Sequence, residues 1–403
     1  MGKNNLDLKY TLLFGGGAIR GVAYCGAYKY LEELNVQYDK IAGSSVGAVF
    51  ASLVAVGYKA SEMTDVMLSV NYELFRDIQI AIGPQFALSK GEVFLDWLRE
   101  LIEKKFYGDK YKKGTHKAVT FADLEKDLVI ITTDLSNFEC KEFSKKETPD
   151  FEIAKAVRIS SGMPGLMKPY EYNNRVLVDG DLQKSAPMWY LSKNLQPENE
   201  RIMELRLEGD FQGNDYNAVE FLNAIYSYAT KTGTKFLKEL YGNRDKYDYL
   251  VIDTGDLNIV DFNLPKGKRS QLIESGYKQA RNYFQTTLLE KKKNLLGIYR
   301  EIDKYLNTCL KFIDSNNINQ LKCTVGEVYM NLNETYELLN DYDKKLLDNF
   351  KSLLLQNIQY PALFGKMKLN NENLIRATLQ ACEKQISERI SNYENYIEEI
   401  SLF

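Results

Sequence analysis

The chain has almost no histidine: one, His116, in 403 residues. That scarcity shapes every reading of its chemistry, because a serine nucleophile most often takes its base from a histidine held by a carboxylate. His116 lies in the polar run Lys112-Lys113-Gly114-Thr115-His116-Lys117, which reads as an exposed loop. Cysteine is also sparse. Cys25, Cys140, Cys309, Cys323 and Cys382 are scattered, odd in number and without metal-ligand spacing, which excludes a disulfide framework and points to reduced thiols in a cytoplasmic setting. There is no excess of positive charge. A net charge of -3 and a pI near 5.7 argue against a nucleic-acid platform. No apolar run reaches the roughly 18 residues that span a bilayer. Residues 1–7 hold no hydrophobic signal region, and Leu6 stands where a myristoylation signal wants Ser or Thr.

What is present is glycine beside serine. Gly43-Ser44-Ser45-Val46-Gly47 is a Gly-x-Ser-x-Gly motif. In such a motif the serine sits on a sharp strand-to-helix turn, with glycines leaving room beside its hydroxyl. The flanks agree. Asp39 to Ala42 reads as the end of a strand, Ala48 to Val56 as an apolar helix, and Gly57 as its stop. With His116 on a loop, either Ser45 is not catalytic or its base is a carboxylate.

A second glycine cluster lies upstream. Tyr10 to Phe14 is a β-prone run, Gly15-Gly16-Gly17-Ala18-Ile19-Arg20-Gly21 follows, and Val22 to Leu31 continues as a helix. Glycine-rich loops at helix starts bind anions through backbone N–H groups. A Walker loop is excluded because Val22 and Ala23 follow Gly21. The dinucleotide pattern fails because Arg20 or Ala18 occupies a required glycine place. Two readings are left: a loop holding the oxyanion of an acyl-transfer intermediate, or a tight turn with no ligand. A third element, Arg175-Val176-Leu177-Val178-Asp179-Gly180-Asp181, is an apolar strand ending in a carboxylate. Alone it reads as a turn; beside a serine nucleophile it supplies the missing base.

These three elements, in this order, resemble the patatin-like phospholipases, a family of lipid acyl hydrolases. The resemblance runs over roughly residues 8 to 285. It takes in Thr132-Thr133-Asp134-Leu135, the run from Ala154 to Gly165, Pro187, and Gly255-Asp256. It implies an α/β fold, a three-layer sandwich around a mainly parallel sheet. It implies Ser45 as nucleophile and Asp179 as base, an oxyanion hole from Gly16, Gly17 and Ala18, and Gly15, Arg20, Gly21, Gly43, Gly47 and Gly180 as supports. No metal and no cofactor are implied. The expected activity is phospholipase A-type cleavage of membrane lipid, met peripherally from the cytoplasm. The chain departs from the family at Ala18, in place of a glycine, and at Asp181, in place of a small residue. Asp181 has two readings: beside Asp179, where like charge would raise one pKa, or turned to solvent or to Lys184. Arg20 reads as a structural residue paired with a carboxylate, or as a contact for anionic lipid.

The catalytic part is expected over 8–285. Within it, 70–118 reads as a helical insertion rich in Tyr72, Phe75, Phe86, Phe94, Trp97, Phe106 and Tyr107, either a flap over the site or a core cover. From 286 to 403, apolar residues such as Leu295, Tyr299, Ile302 and Leu306 recur at helical spacing. This all-α region, broken by Tyr360-Pro361-Ala362-Leu363-Phe364-Gly365, is a packed bundle, a homo-oligomer or partner surface, or a gate. An effector lipase controlled by that region, or a non-catalytic scaffold, is the alternative to a simple enzyme.

Overall fold

The structure, a computed structural model, describes residues 9–76, 78–81, 87–182, 201–209, 244–257, 263–332, 335–359 and 366–400, together with Ala224, Tyr228 and Glu239. Phe86, Lys184, Pro187 and the break at 360–365 lie outside the described residues.

An eight-stranded mixed sheet forms the centre, in the order β11-β10-β1-β2-β5-β9-β8, with β6 also paired to β5. β1 (Lys9–Phe14), β2 (Gln37–Gly43), β5 (Asp127–Asp134), β10 (Arg201–Glu208) and β11 (Tyr247–Asp253) run parallel. β6 (Glu139–Ser144) and β9 (Arg175–Val178) run antiparallel to β5, and β8 (Tyr170–Tyr172) runs antiparallel to β9. Leu12, Leu13 and Phe14 of β1 are completely buried. This is the signature of a parallel strand covered on both faces, and it explains why that segment reads as a continuous apolar run rather than an alternating one.

Helices cover the sheet. α1 (Ala23–Glu33) and α2 (Val46–Ala55) follow β1 and β2. α3 (Ala60–Ser69), α4 (Glu92–Tyr107), α5 (Ile153–Ser160) and α6 (Lys266–Asn282) complete the layers. α1 and α6 cross backbone to backbone at two glycines. A Cβ on Gly26 would stand 1.8 Å from the Ile273 oxygen, and one on Gly276 would stand 2.1 Å from the Ala23 oxygen, so any larger residue at either crossing point would push the helices apart.

The stretch 70–118 is not wholly helical. β3 (Ile78–Ala81) and β4 (Ala87–Ser89) form a small sheet with β7 (Gly165–Met167). Tyr72, Phe75 and Phe94 are buried, and the Phe75 ring lies 5.0 Å from Trp97 and 5.3 Å from Phe94, so these aromatics close over a core. Phe106 stands apart from them, 40 % exposed.

A π-helical turn, Tyr283–Leu288, continues α6 into α7 (Leu289–Asp314). α8 (Ile318–Asn331), α9 (Asp341–Asn357) and α10 (Glu372–Ile400) follow and share a second core around Leu295, Tyr299, Leu347, Phe350, Leu379 and Ile386. The last turns of α10 return to the first core through Tyr396 and Ile400. Among the described residues, no helix is long and apolar enough to cross a membrane.

Candidate functional site

β1 and β2 end side by side, with Phe14 opposite Gly43. Their continuations therefore bring the Gly15–Ala18 loop and the Ser44–Ser45 turn together. Ser45 takes φ 53° and ψ −131°, a backbone state that costs a non-glycine residue about 1–3 kcal/mol and persists only where its surroundings enforce it. Here close packing enforces it. A Cβ on Gly47 would lie 2.0 Å from the Phe14 oxygen, and one on Gly43 would lie 2.4 Å from the Gly47 oxygen. The Ser45 N–H donates to the Ser160 hydroxyl at 3.0 Å, and Ser160 in turn donates to the Ile131 carbonyl at 2.6 Å. Ser161 donates to the Ser45 carbonyl at 3.1 Å. The C-terminal end of α5 thus grips the turn from the far side. Both serines belong to a run noted in the sequence, where neither had a role.

β9 runs antiparallel to β5, with Val178 opposite Thr133 and Gly180 against Ile131, and so delivers Asp179 between them. The Asp179 N–H donates to Gly162, and Thr133 donates to the Asp179 carbonyl at 2.8 Å. The Ser45 hydroxyl donates to Asp179 Oδ2 at 2.7 Å, with both residues buried. The other carboxylate oxygen, Oδ1, accepts the Asp181 N–H at 2.8 Å. The structure therefore brings together Ser45 and Asp179 from 134 residues apart. His116 is elsewhere: its Nε2 meets the Lys110 carbonyl and its ring stacks on Tyr107 at 4.1 Å. Among the described residues, no contact joins it to Ser45 or Asp179.

Asp181 departs from the solvent-facing or Lys184-paired reading. It is 3 % exposed. Its Oδ1 accepts the Ser44 hydroxyl at 2.5 Å, its Oδ2 accepts the Gly16 N–H at 3.2 Å, and Arg206 pairs with it at 3.2 Å. Arg206 also reaches Glu204 at 3.5 Å. Burial pushes the Glu204 carboxyl up to about 7 and Asp181 adds to the rise, against the pull of Arg206. Burial opposes the charge on Arg206, yet Asp181 and Glu204 outweigh it and the net shift is upward. The signal missed in the sequence was Glu204-Leu205-Arg206, two charges inside an otherwise apolar strand.

Because the Gly16 N–H is engaged by Asp181, the loop's remaining donors are Gly17 and Ala18. Gly17 has φ 151° and Ala18 φ 48°. Alanine holds the left-handed geometry that a glycine would take at no steric cost. Among the described residues neither N–H meets an acceptor. Arg20 is a structural tie, donating to the carbonyls of Leu257 and Gly209. Among the described residues, no group of three or more His, Cys, Asp or Glu is placed to hold a metal.

A strained serine between a buried parallel strand and a buried helix, bonded to a carboxylate beside a glycine loop, is a nucleophile-elbow arrangement. Residues 12–191 match the family of patatin-like phospholipases. The chain is 25% identical to the uncharacterized protein YqhO of Bacillus subtilis over 284 residues, 66% of this chain and 94% of that protein. It is 28% identical to the probable lipid hydrolase 463L of Invertebrate iridescent virus 6 over 193 residues, 46% of this chain and 64% of that protein. Among solved structures, VipD from Legionella pneumophila superposes with a TM-score of 0.46 at 14% identity, covering 97% of this chain and 90% of that one.

Proposed function

We propose that this chain is a lipid acyl-ester hydrolase of phospholipase A type, working through a Ser45–Asp179 dyad. The observation that carries the reading is the 2.7 Å bond from the Ser45 hydroxyl to Asp179 at a strained turn. Asp179 takes the hydroxyl proton as Ser45 Oγ attacks the ester carbonyl. The N–H groups of Gly17 and Ala18 hold the oxyanion of the tetrahedral intermediate. Its collapse breaks the ester C–O bond, and the departing lysolipid alkoxide takes the proton from Asp179. A water, deprotonated by Asp179, then attacks the acyl-serine and releases the fatty acid, and the proton returns to Ser45. Each step uses groups of this chain, the lipid and water. We read 8–285 as the catalytic part and 286–403 as a helical buttress to it.

The test is phospholipid hydrolysis together with covalent labelling by a fluorophosphonate. Ser45→Ala is expected to lose labelling and at least about a thousandfold in rate, and Asp179→Asn to lose a comparable factor in rate while still folding. Ser44→Ala keeps the label on Ser45, and His116→Ala keeps its rate. Undiminished turnover by purified Ser45→Ala protein would falsify the dyad, and a large loss in His116→Ala would replace it with a triad.

A further inference from the structure

Buried cations in folded proteins are paired, because an unpaired charge taken out of water costs several kcal/mol. Arg206 obeys this rule through Asp181 and Glu204. Arg158, in the last turn of α5, does not. It is 4 % exposed. Its Nη2 donates to the Lys90 carbonyl at 2.5 Å, while its buried Nη1 has no hydrogen-bond partner. Among the described residues, no carboxylate lies within ion-pairing distance of it; the charge of Glu92, exposed on the first turn of α4, reaches it only from farther away.

The place of this guanidinium is informative. Its Nε stands 2.9 Å from where a Cβ on Gly91 would be, directly against the N-cap of the 16-residue helix α4, which has no side-chain cap. The uncapped N–H groups of that first turn carry the positive end of the helix. On its other side, Nη1 lies 3.7 Å from the Cβ position of Gly162, whose carbonyl accepts the Asp179 N–H at 3.0 Å. Two residues beyond Arg158, Ser160 holds the Ser45 N–H. Ser89 pairs with Met167 across β4 and β7, so Lys90 and Lys168, both exposed, follow side by side at the rim. A buried guanidinium with no ion-pair partner and a helix N-terminus thus meet beside the segment that holds the Ser45–Asp179 pair, with two exposed lysines next to them in sequence and register.

We propose that Arg158, with the N-terminus of α4 and the lysines at its rim, binds the phosphodiester of a phospholipid headgroup. The inference rests on the hydrolase reading for its purpose and on Arg158 alone for its chemistry. A planar guanidinium with a free N–H suits a phosphodiester, a singly charged anion with two terminal oxygens. It would make the enzyme prefer phospholipids over uncharged esters.

Binding is tested without turnover. Full-length wild type, Ser45→Ala, Arg158→Met and Arg158→Lys are titrated with glycerophosphocholine and, separately, with inorganic phosphate, following Tm. Glycerophosphocholine is expected to raise Tm of wild type and Ser45→Ala by about 2 °C or more at saturation, to leave Arg158→Met unmoved and to give Arg158→Lys a reduced rise. A response to inorganic phosphate alone assigns the site to free phosphate and overturns the headgroup. No response in wild type, or an equal response in Arg158→Met, overturns the site. The second arm compares phosphatidylcholine vesicles with a short uncharged ester. The ratio of the two kcat/KM values should fall about tenfold or more in Arg158→Met, chiefly through KM for the phospholipid, with part of it restored in Arg158→Lys. An unchanged ratio overturns the proposal. If wild type cleaves neither ester while Arg158 still governs glycerophosphocholine binding, the hydrolase reading fails and the anion site stands.

Discussion

Asp181 shows how much one side chain can alter a site whose main parts are already in place. It joins three separate segments: Ser44 on the elbow, Gly16 on the glycine loop and Arg206 on β10. The carboxylate thereby fixes the loop relative to the Ser44–Ser45 turn and neutralises a buried guanidinium. Removing it leaves Arg206 only the longer 3.5 Å contact to Glu204, and breaking a buried pair from one side costs up to about 3–5 kcal/mol. Asp181→Ala, and Asp181→Gly with it, should therefore lose up to about that much stability in urea unfolding. Asp181→Asn keeps an acceptor for Ser44 or Gly16 and should lose less. An Asp181→Ala protein as stable as wild type would show that the ion pair is not holding the loop. The neighbouring Asp179 is a different case: its bonds to Ser45 and to the Asp181 N–H orient it, so its conservative replacement acts on rate more than on stability.

At the scale of elements, β10 is the unusual one. It is a central parallel strand that places two charged residues, Glu204 and Arg206, on one face beneath the glycine loop. With one guanidinium between two carboxylates, the second carboxylate holds its proton to higher pH, and burial is the main reason Glu204 rises to about 7. Unfolded, Glu204 titrates near 4.3. Its folded pKa is higher, so its stabilising contribution is complete below about pH 4.3 and is lost as pH rises to about 7. The expected result is a wild-type Tm that falls between pH 5 and pH 8, with a smaller fall in Glu204→Gln, all other carboxylates being the same. Equal slopes in the two proteins would exclude Glu204 as the titrating group. The elements nearest Ser45 and the helical region were legible in the sequence. The apolar run at Tyr10–Phe14, the elbow at Gly43–Gly47 and the helical stripes after residue 286 depend on local pattern, which a chain displays directly. The partners of Asp181 were not legible, since they lie 137, 165 and 25 residues away and no local pattern encodes such pairings. The strands β3 and β4 were hidden for another reason: each is short, and the aromatics around them repeat at spacings that serve a helix as well as a sheet. The Gly43-Ser44-Ser45-Val46-Gly47 motif located the serine, but the sequence offered Arg158 only as one letter in the run from Ala154 to Gly165.

At the scale of the whole molecule, the helical region is fastened to the edge of the sheet opposite Ser45, at the starts of β10 and β11. Asp248 is fully buried there; it accepts from Tyr10 at 2.7 Å and pairs with Arg201 at 3.1 Å and with Lys291 of α7 at 3.2 Å. Asp245, also buried, pairs with Lys292 of α7 at 3.3 Å and with Arg201 at 3.6 Å. Tyr396 and Ile400 then complete the first core. A detachable regulatory module would meet the sheet through solvated contacts, whereas this junction places ionised groups out of water, where each needs its partner. Truncation after residue 285 removes both lysines, leaves Asp245 and Asp248 to share Arg201, and takes Leu288, Tyr396 and Ile400 out of the first core. Against a total stability of about 5–15 kcal/mol, burying a single Leu or Ile side chain stabilises by about 1.5–3 kcal/mol, so the lost core residues alone are a large fraction. The truncated chain is expected to aggregate, or to unfold at far lower denaturant than the full chain. Lys292→Met in the intact chain gives the same information without truncation: it should cost about 3 kcal/mol or more, and adding Asp245→Asn should recover part of that loss in a double-mutant cycle. If the truncated protein folds with the full chain's unfolding midpoint and the cycle shows no coupling, the helical region is an appendage, and the sheet carries its own stability.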